Sequence, residues 1–173
     1  MDIVKNFELL NKTISKKIKI IAVSKTKSKD KILEIYNTGH RDFGENRIQE
    51  LKEKYNQLPK DIKWHMIGHV QKNKVKYIAP FIKLIHSVDS YKLLMEINKQ
   101  GEKNKRLIKC LLQIKIAKEE NKFGIFKNEA ENLLLLSNNL DNVKIIGLMG
   151  MASFTEKHEI INKEFKEIST LFK

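Results

Sequence analysis

Cysteine is almost missing from this chain of 173 residues. Cys110 stands alone, so no internal disulfide framework can form, and a reducing compartment, the cytoplasm, is expected. Arginine is scarce too. Arg41, Arg47 and Arg106 are the whole arginine content of a Lys+Arg total of 34, so the formal net charge of +13 is a lysine charge spread along the chain. It lacks the arginine stripe and interleaved aromatics that grip phosphates and stack bases, and no specific nucleic-acid partner is expected. No apolar window approaches a membrane span. The amino terminus, with charges at Asp2, Lys5 and Glu8, has no signal-peptide core. Nor is there a paired-carboxylate or Ser/His/Asp set at recognisable spacing. Ser24 to Lys27 spells Ser-x-x-Lys, but the further Ser/Lys motifs of serine acylases are missing.

What the chain does contain is a regular alternation. Ile18 to Lys27 (IKIIAVSKTK) reads as a strand that is apolar on both faces, as in a parallel sheet covered by helices, with Lys25 at its carboxyl end on the face of Ile21 and Val23. An amine held there is expected to be partly desolvated, with Lys27 and Lys29 nearby. Both influences favour the neutral form that attacks a carbonyl. A helix from about Asp2 to Ser15 precedes this strand. Afterwards come a helix capped by Ser28 and stopped at Gly39, a strand at Asp42 to Gly44, and a helix through Ile48, Leu51, Tyr55 and Leu58 that Pro59 breaks. Further strands follow at Lys63 to Ile67, Ile82 to Ser87, within Arg106 to Ile116, and at Val143 to Met149. Between them lie a short helix ending before Pro80, a helix capped by Ser90 and stopped at Gly101, and one near Asn128 to Asn138. The last helix is expected to be capped by Thr155.

Six strand and helix units without a linker describe one parallel α/β domain over residues 1–173. A doubly wound sheet and a (β/α) barrel both fit that pattern. The first usually shows a glycine-rich turn after its first strand, and Ser24 to Lys27 contains no glycine, which favours the barrel. In a barrel the site is built at the carboxyl ends of the strands. His65 and His69 would stand about 13 Å apart along a strand, too far to share a metal. For His69, as for Asn46 and His86, a ligand-reading position and a buried hydrogen-bonded position both remain open. Cys110 is expected to be packing.

Taken in order, IIAVSKTK (Ile20 to Lys27), FGENRIQE (Phe43 to Glu50), WHMIGHVQKNKVK (Trp64 to Lys76), IHSVDS (Ile85 to Ser90), LLQIKIAKEENKFGI (Leu111 to Ile125) and IIGLMGM (Ile145 to Met151) resemble the pyridoxal-phosphate homeostasis protein family. The resemblance runs from the first strand to the last helix. It implies a TIM-type barrel of PLP fold-type III, like the amino-terminal domain of alanine racemase, with six of eight strands present. It also implies that pyridoxal 5'-phosphate (PLP) is held as a Schiff base on Lys25, that Asn46, His69, Ser87 and Met149 lie at the barrel mouth, and that Lys122 contacts or receives cofactor. The implied role is PLP homeostasis without established turnover, with PLP-dependent apo-enzymes as recipients, no membrane partner, and a monomer once the barrel is complete. Family members carry two further strands, with phosphate-gripping segments of Ser-Met-Gly-Met-Ser and Arg-Ile-Gly type, that the sequence up to Lys173 does not contain. An amino-acid racemase of the same fold type is the alternative, as is a shortened remnant with weak or no PLP binding. Racemization needs a second acid/base that comes from another domain in the racemase.

Overall fold

The structure is a computed structural model that describes residues 2–117 and 123–173. Its six strands form one parallel sheet in chain order: β1 (Ala22–Val23), β2 (Asp42–Glu45), β3 (Lys63–Met66), β4 (Leu84–Val88), β5 (Ile108–Ile114) and β6 (Val143–Gly150). Consecutive strands are neighbours throughout. This is the winding of a barrel rather than a doubly wound sheet, in which the order would reverse. The sheet is not closed, since β1 and β6 each pair with one neighbour. The helices are α1 (Ile3–Thr13), α2 (Lys29–Tyr36), α3 (Ile48–Gln57), α4 (Tyr91–Lys103), α5 (Lys127–Ser137) and α6 (His158–Phe172), with a 3₁₀ segment at Lys72–Tyr77.

Most boundaries follow local chemistry. The Ser28 and Ser90 hydroxyls accept the Lys31 and Leu93 N–H groups and start α2 and α4. Two expected helix boundaries differ, and β4 begins at Leu84 rather than Ile82. Gly101 lies inside the last turn of α4, because a Cβ there would come 2.6 Å from the Asn142 carbonyl oxygen and 2.8 Å from that of Arg106. It is a site of close backbone approach. The cap of α6 falls on Lys157 rather than Thr155, whose hydroxyl instead accepts the Lys157 N–H at 3.2 Å.

The two faces of the sheet have different tasks. Phe43, Trp64, Met66 and Ile85 join Leu51, Ile78, Leu94 and Ile97 in the core between strands and helices, all at most 1% exposed. The opposite, inner face carries Ile21, Gly44 and Ile67 at its upper end. A Cβ on Gly44 would meet Ile21 Cγ2 at 3.1 Å and Ile67 Cδ1 at 3.2 Å. Asp42 and His65 share that face by strand alternation. The first strand is shorter than its sequence suggests. Only Ala22 and Val23 pair with β2, and Ile18 is 61% and Val23 49% exposed. Apolar content on both faces does not bury a strand that has a neighbour on one side only.

Candidate functional site

The turn after β1 is fixed from beneath. Ser24 points to the helix side of the sheet, where its hydroxyl donates to Glu45 Oε1 at 2.6 Å. Lys54, on α3, donates to the Ser24 carbonyl, to Glu45 Oε1 and to Glu50 Oε1, each at 2.7 Å. Glu50 Oε1 also accepts the Thr26 N–H at 2.7 Å. Glu45 is fully buried, Lys54 is buried and Glu50 half-buried. Burial pushes the Glu45 carboxyl above its usual range, against the pull of the Lys54 ammonium and the Ser24 hydroxyl. For Glu50 burial acts in the same direction, but the hydrogen bonds from Lys54 and the Thr26 N–H outweigh it and hold the carboxyl low. Sequence reasoning missed this cluster. The spacing of Glu50 and Lys54 at i and i+4 could have signalled a pair, but not that the pair faces β1.

Lys25 stands between the two anchored residues. It lies in the turn just past the carboxyl end of β1. Among the described residues its side chain has no hydrogen-bond or ion-pair partner. The expected partial desolvation is not found, because Lys25 is exposed. The strand ends at Val23, and the turn lifts the residue clear of the packed face.

Asn46 follows β2 and His69 follows β3, and the two line one cavity of about 270 Å³ with Arg47, Gln71 and Lys74. Gly68 brings these strand ends together, since a Cβ there would lie 2.2 Å from the Asn46 carbonyl oxygen. His69 is exposed. It stacks on Phe123 with ring centroids 4.1 Å apart, and its Nδ1 is 3.4 Å from Asp89 Oδ2. Ser87 is buried in β4 and donates its hydroxyl to the Gly68 carbonyl at 2.5 Å, so it braces the loop of His69. Met149 is half-buried on β6, beside Gln113 in the register. Lys25, Ser87 and Met149 do not line the Asn46–His69 cavity. Lys122 lies outside the described residues.

His86 is not a mouth residue. It is buried within β4 and its Nε2 is 2.9 Å from His65 Nδ1, while His65 Nε2 is 3.0 Å from Asp42 Oδ1. The Asp42 carboxylate accepts from His65 Nε2–H, so His65 Nδ1 accepts from His86 Nε2–H. This tautomer assignment follows from the network. Burial lowers both imidazoles, His86 to about 4. Burial would raise Asp42, but the His65 hydrogen bond and the Lys19 charge, 3.6 Å away, bring it below the usual carboxylate range. Cys110 is fully buried and burial pushes its thiol up, as packing requires.

The parallel β/α fold is shared with known proteins. A family model described as alanine racemase, N-terminal domain, matches residues 2–173. The pyridoxal phosphate homeostasis protein of Aquifex aeolicus is 37% identical over 154 residues, covering 88% of this chain and 68% of that protein. The Helicobacter pylori protein of the same name is 38% identical over 158 residues, covering 90% and 71%. PipY of Synechococcus elongatus, solved without PLP, superposes with a TM-score of 0.91 at 31% identity, covering 98% of this chain and 80% of that one. PipY with PLP bound gives 0.87 at 29%, covering 98% and 79%. The chain belongs to the pyridoxal phosphate homeostasis protein family, within the alanine racemase N-terminal barrel fold.

Proposed function

We propose that this chain is a PLP-binding barrel unit over residues 1–173 that serves PLP homeostasis by holding the cofactor without turning over a substrate, and that Lys25 carries it as a Schiff base. One observation carries the reading: an uncommitted primary amine stands at the mouth of the barrel, on a turn whose two flanking residues are anchored to a buried ionic cluster. The family membership supports it, since the related PipY is described with PLP bound.

The residues present fit the group. PLP supplies an aldehyde that condenses with a primary amine, together with an anionic phosphate. Lys25 provides the amine; the cavity of Asn46 and His69, which Lys25 does not line, has Arg47 and Lys74 in its wall, cations suited to an anionic group. His69, held by its stack on Phe123 and by Asp89, presents a fixed imidazole on that wall. Ser87 keeps the loop of His69 in place through the Gly68 carbonyl. Met149 adds apolar surface at the end of β6, on the edge of the same mouth. Recipients of the cofactor are PLP-dependent apo-enzymes of the cytoplasm, a compartment in keeping with a single buried thiol. Among the described residues no helix is long and apolar enough to cross a membrane.

The test is an absorbance titration with PLP, followed by borohydride reduction and peptide mapping, beside the Lys25→Ala variant. The expected result is a saturable band that the variant lacks, with the pyridoxyl label on Lys25. A label spread over exposed lysines in proportion to their number would overturn the reading.

A further inference from the structure

We infer that Glu50 and Lys54 are positioning residues for Lys25, holding the turn that presents its amine; this rests on Lys25 being the lysine that takes PLP. Thr26 adopts φ +63°, a left-handed conformation that is a genuine outlier for a β-branched residue and persists only when its surroundings over-determine it. The Thr26 N–H donates to Glu50 Oε1 at 2.7 Å, and that same oxygen accepts from Lys54 Nζ at 2.7 Å. Lys54 reaches past it to the Ser24 carbonyl at 2.7 Å. Residues on both sides of Lys25 are therefore tied to one ammonium and one carboxylate on α3, while the Lys25 side chain itself is untied.

The geometry is economical in donors. Lys54 has three N–H groups, and Ser24, Glu45 and Glu50 account for one acceptor each. Being buried, the ammonium has no surface partner to serve. A cluster needed only to join α3 to β2 would stop at Glu45. The turn is closed by its own bond, from the Lys27 N–H to the Ser24 carbonyl at 3.0 Å, with Thr26 at its left-handed third position; the bonds from Lys54 to Ser24 and from Thr26 to Glu50 tie that turn to α3. With the Glu50 bond gone, the turn keeps only its own closing bond, and the Thr26 peptide is expected to loosen, so that the Lys25 amine is no longer presented in one place.

The experiment compares the wild-type chain with Glu50→Ala and Glu50→Gln. It uses native-state amide exchange at Thr26, and borohydride trapping with PLP that reports the label on Lys25 relative to exposed Lys29. Loss of one charge-assisted hydrogen bond should speed Thr26 exchange and cut the Lys25 preference by roughly tenfold or more. Glu50→Gln, which keeps an oxygen for the Thr26 N–H, should recover most of both. Exchange in the remainder of α3 should stay as in the wild type. The inference is overturned if Glu50→Ala labels Lys25 with wild-type preference. It is equally overturned if exchange rises throughout α3 and β2 together, the mark of a merely structural contact. A wild-type chain with no preference for Lys25 over Lys29 would overturn the proposed function itself, a result visible before any variant is made.

Discussion

At the scale of single residues, the chemistry that most affects stability lies below the mouth, in the chain Asp42–His65–His86. His86 has a pKa near 4 in the folded protein, below the roughly 6.5 of an unfolded histidine. The unfolded state therefore binds the proton more tightly, so the stability His86 provides is complete above about pH 6.5 and is lost as pH falls toward 4. His65 shifts in the same direction. His86→Gln keeps an N–H for His65 Nδ1 and removes the proton site. Urea unfolding at pH 7 and pH 4.5 should show the wild type losing on the order of 2 kcal/mol more than the variant over that interval. Equal losses would mean that His86 titrates normally. The sequence left His86 open between mouth and interior, because the end of a strand and its middle look alike until the register is known.

At the scale of elements, two contacts decide how strand ends meet. Gly68 is dictated by the Asn46 backbone rather than by a turn, so Gly68→Ala must push β2 and β3 apart. The expected cost is about 1–3 kcal/mol or more in chemical denaturation, together with a weaker PLP band, since Asn46 and His69 share the cavity that this contact closes. At the far side, Glu164 of α6 is buried, accepting the Ser153 N–H at 2.8 Å and the Ser153 hydroxyl at 2.6 Å. It ties the segment after β6 back onto α6. Glu164→Ala should lower stability by about 1.5–3 kcal/mol, the range for hydrogen bonds to a charged group, and should speed amide exchange at Ser153. Unchanged exchange there would show that the segment is held by other contacts.

At the scale of the whole molecule, the open sheet governs behaviour in solution. The strand β6 has a neighbour on one side only, and Ile146 and Phe172, 44% and 66% exposed, flank an apolar groove of about 440 Å³ between α5 and α6. Unpaired edges with apolar flanks invite association, while a net charge of +13 opposes it. Light scattering of the 173-residue chain should therefore rise with protein concentration and with salt, which screens the lysines. Ile146→Lys should reduce that rise. Salt-independent scattering that the substitution leaves unchanged would rule out this edge as the cause.

The sequence by itself determined the order and type of the elements. Alternating apolar runs, Ser28 and Ser90 as caps, and the absence of glycine after the first strand are local signals, each written within a few residues. It also determined the place of Lys25 at the carboxyl end of β1, since strand direction and alternation need no distant partner. Tertiary structure alone decided the rest. The exposure of Lys25 depends on where β1 stops, at Val23, and on the turn that follows. Gly101 and Gly68 are fixed by backbone atoms 41 and 22 residues away in the chain, at Asn142 and Asn46. The pairing of Lys54 with Ser24, Glu45 and Glu50 spans up to 30 residues, and a lysine among so many carries no mark in the sequence that its ammonium will be buried. Burial and hydrogen-bond partners are properties of the assembled sheet and helices, and no window of the chain contains them.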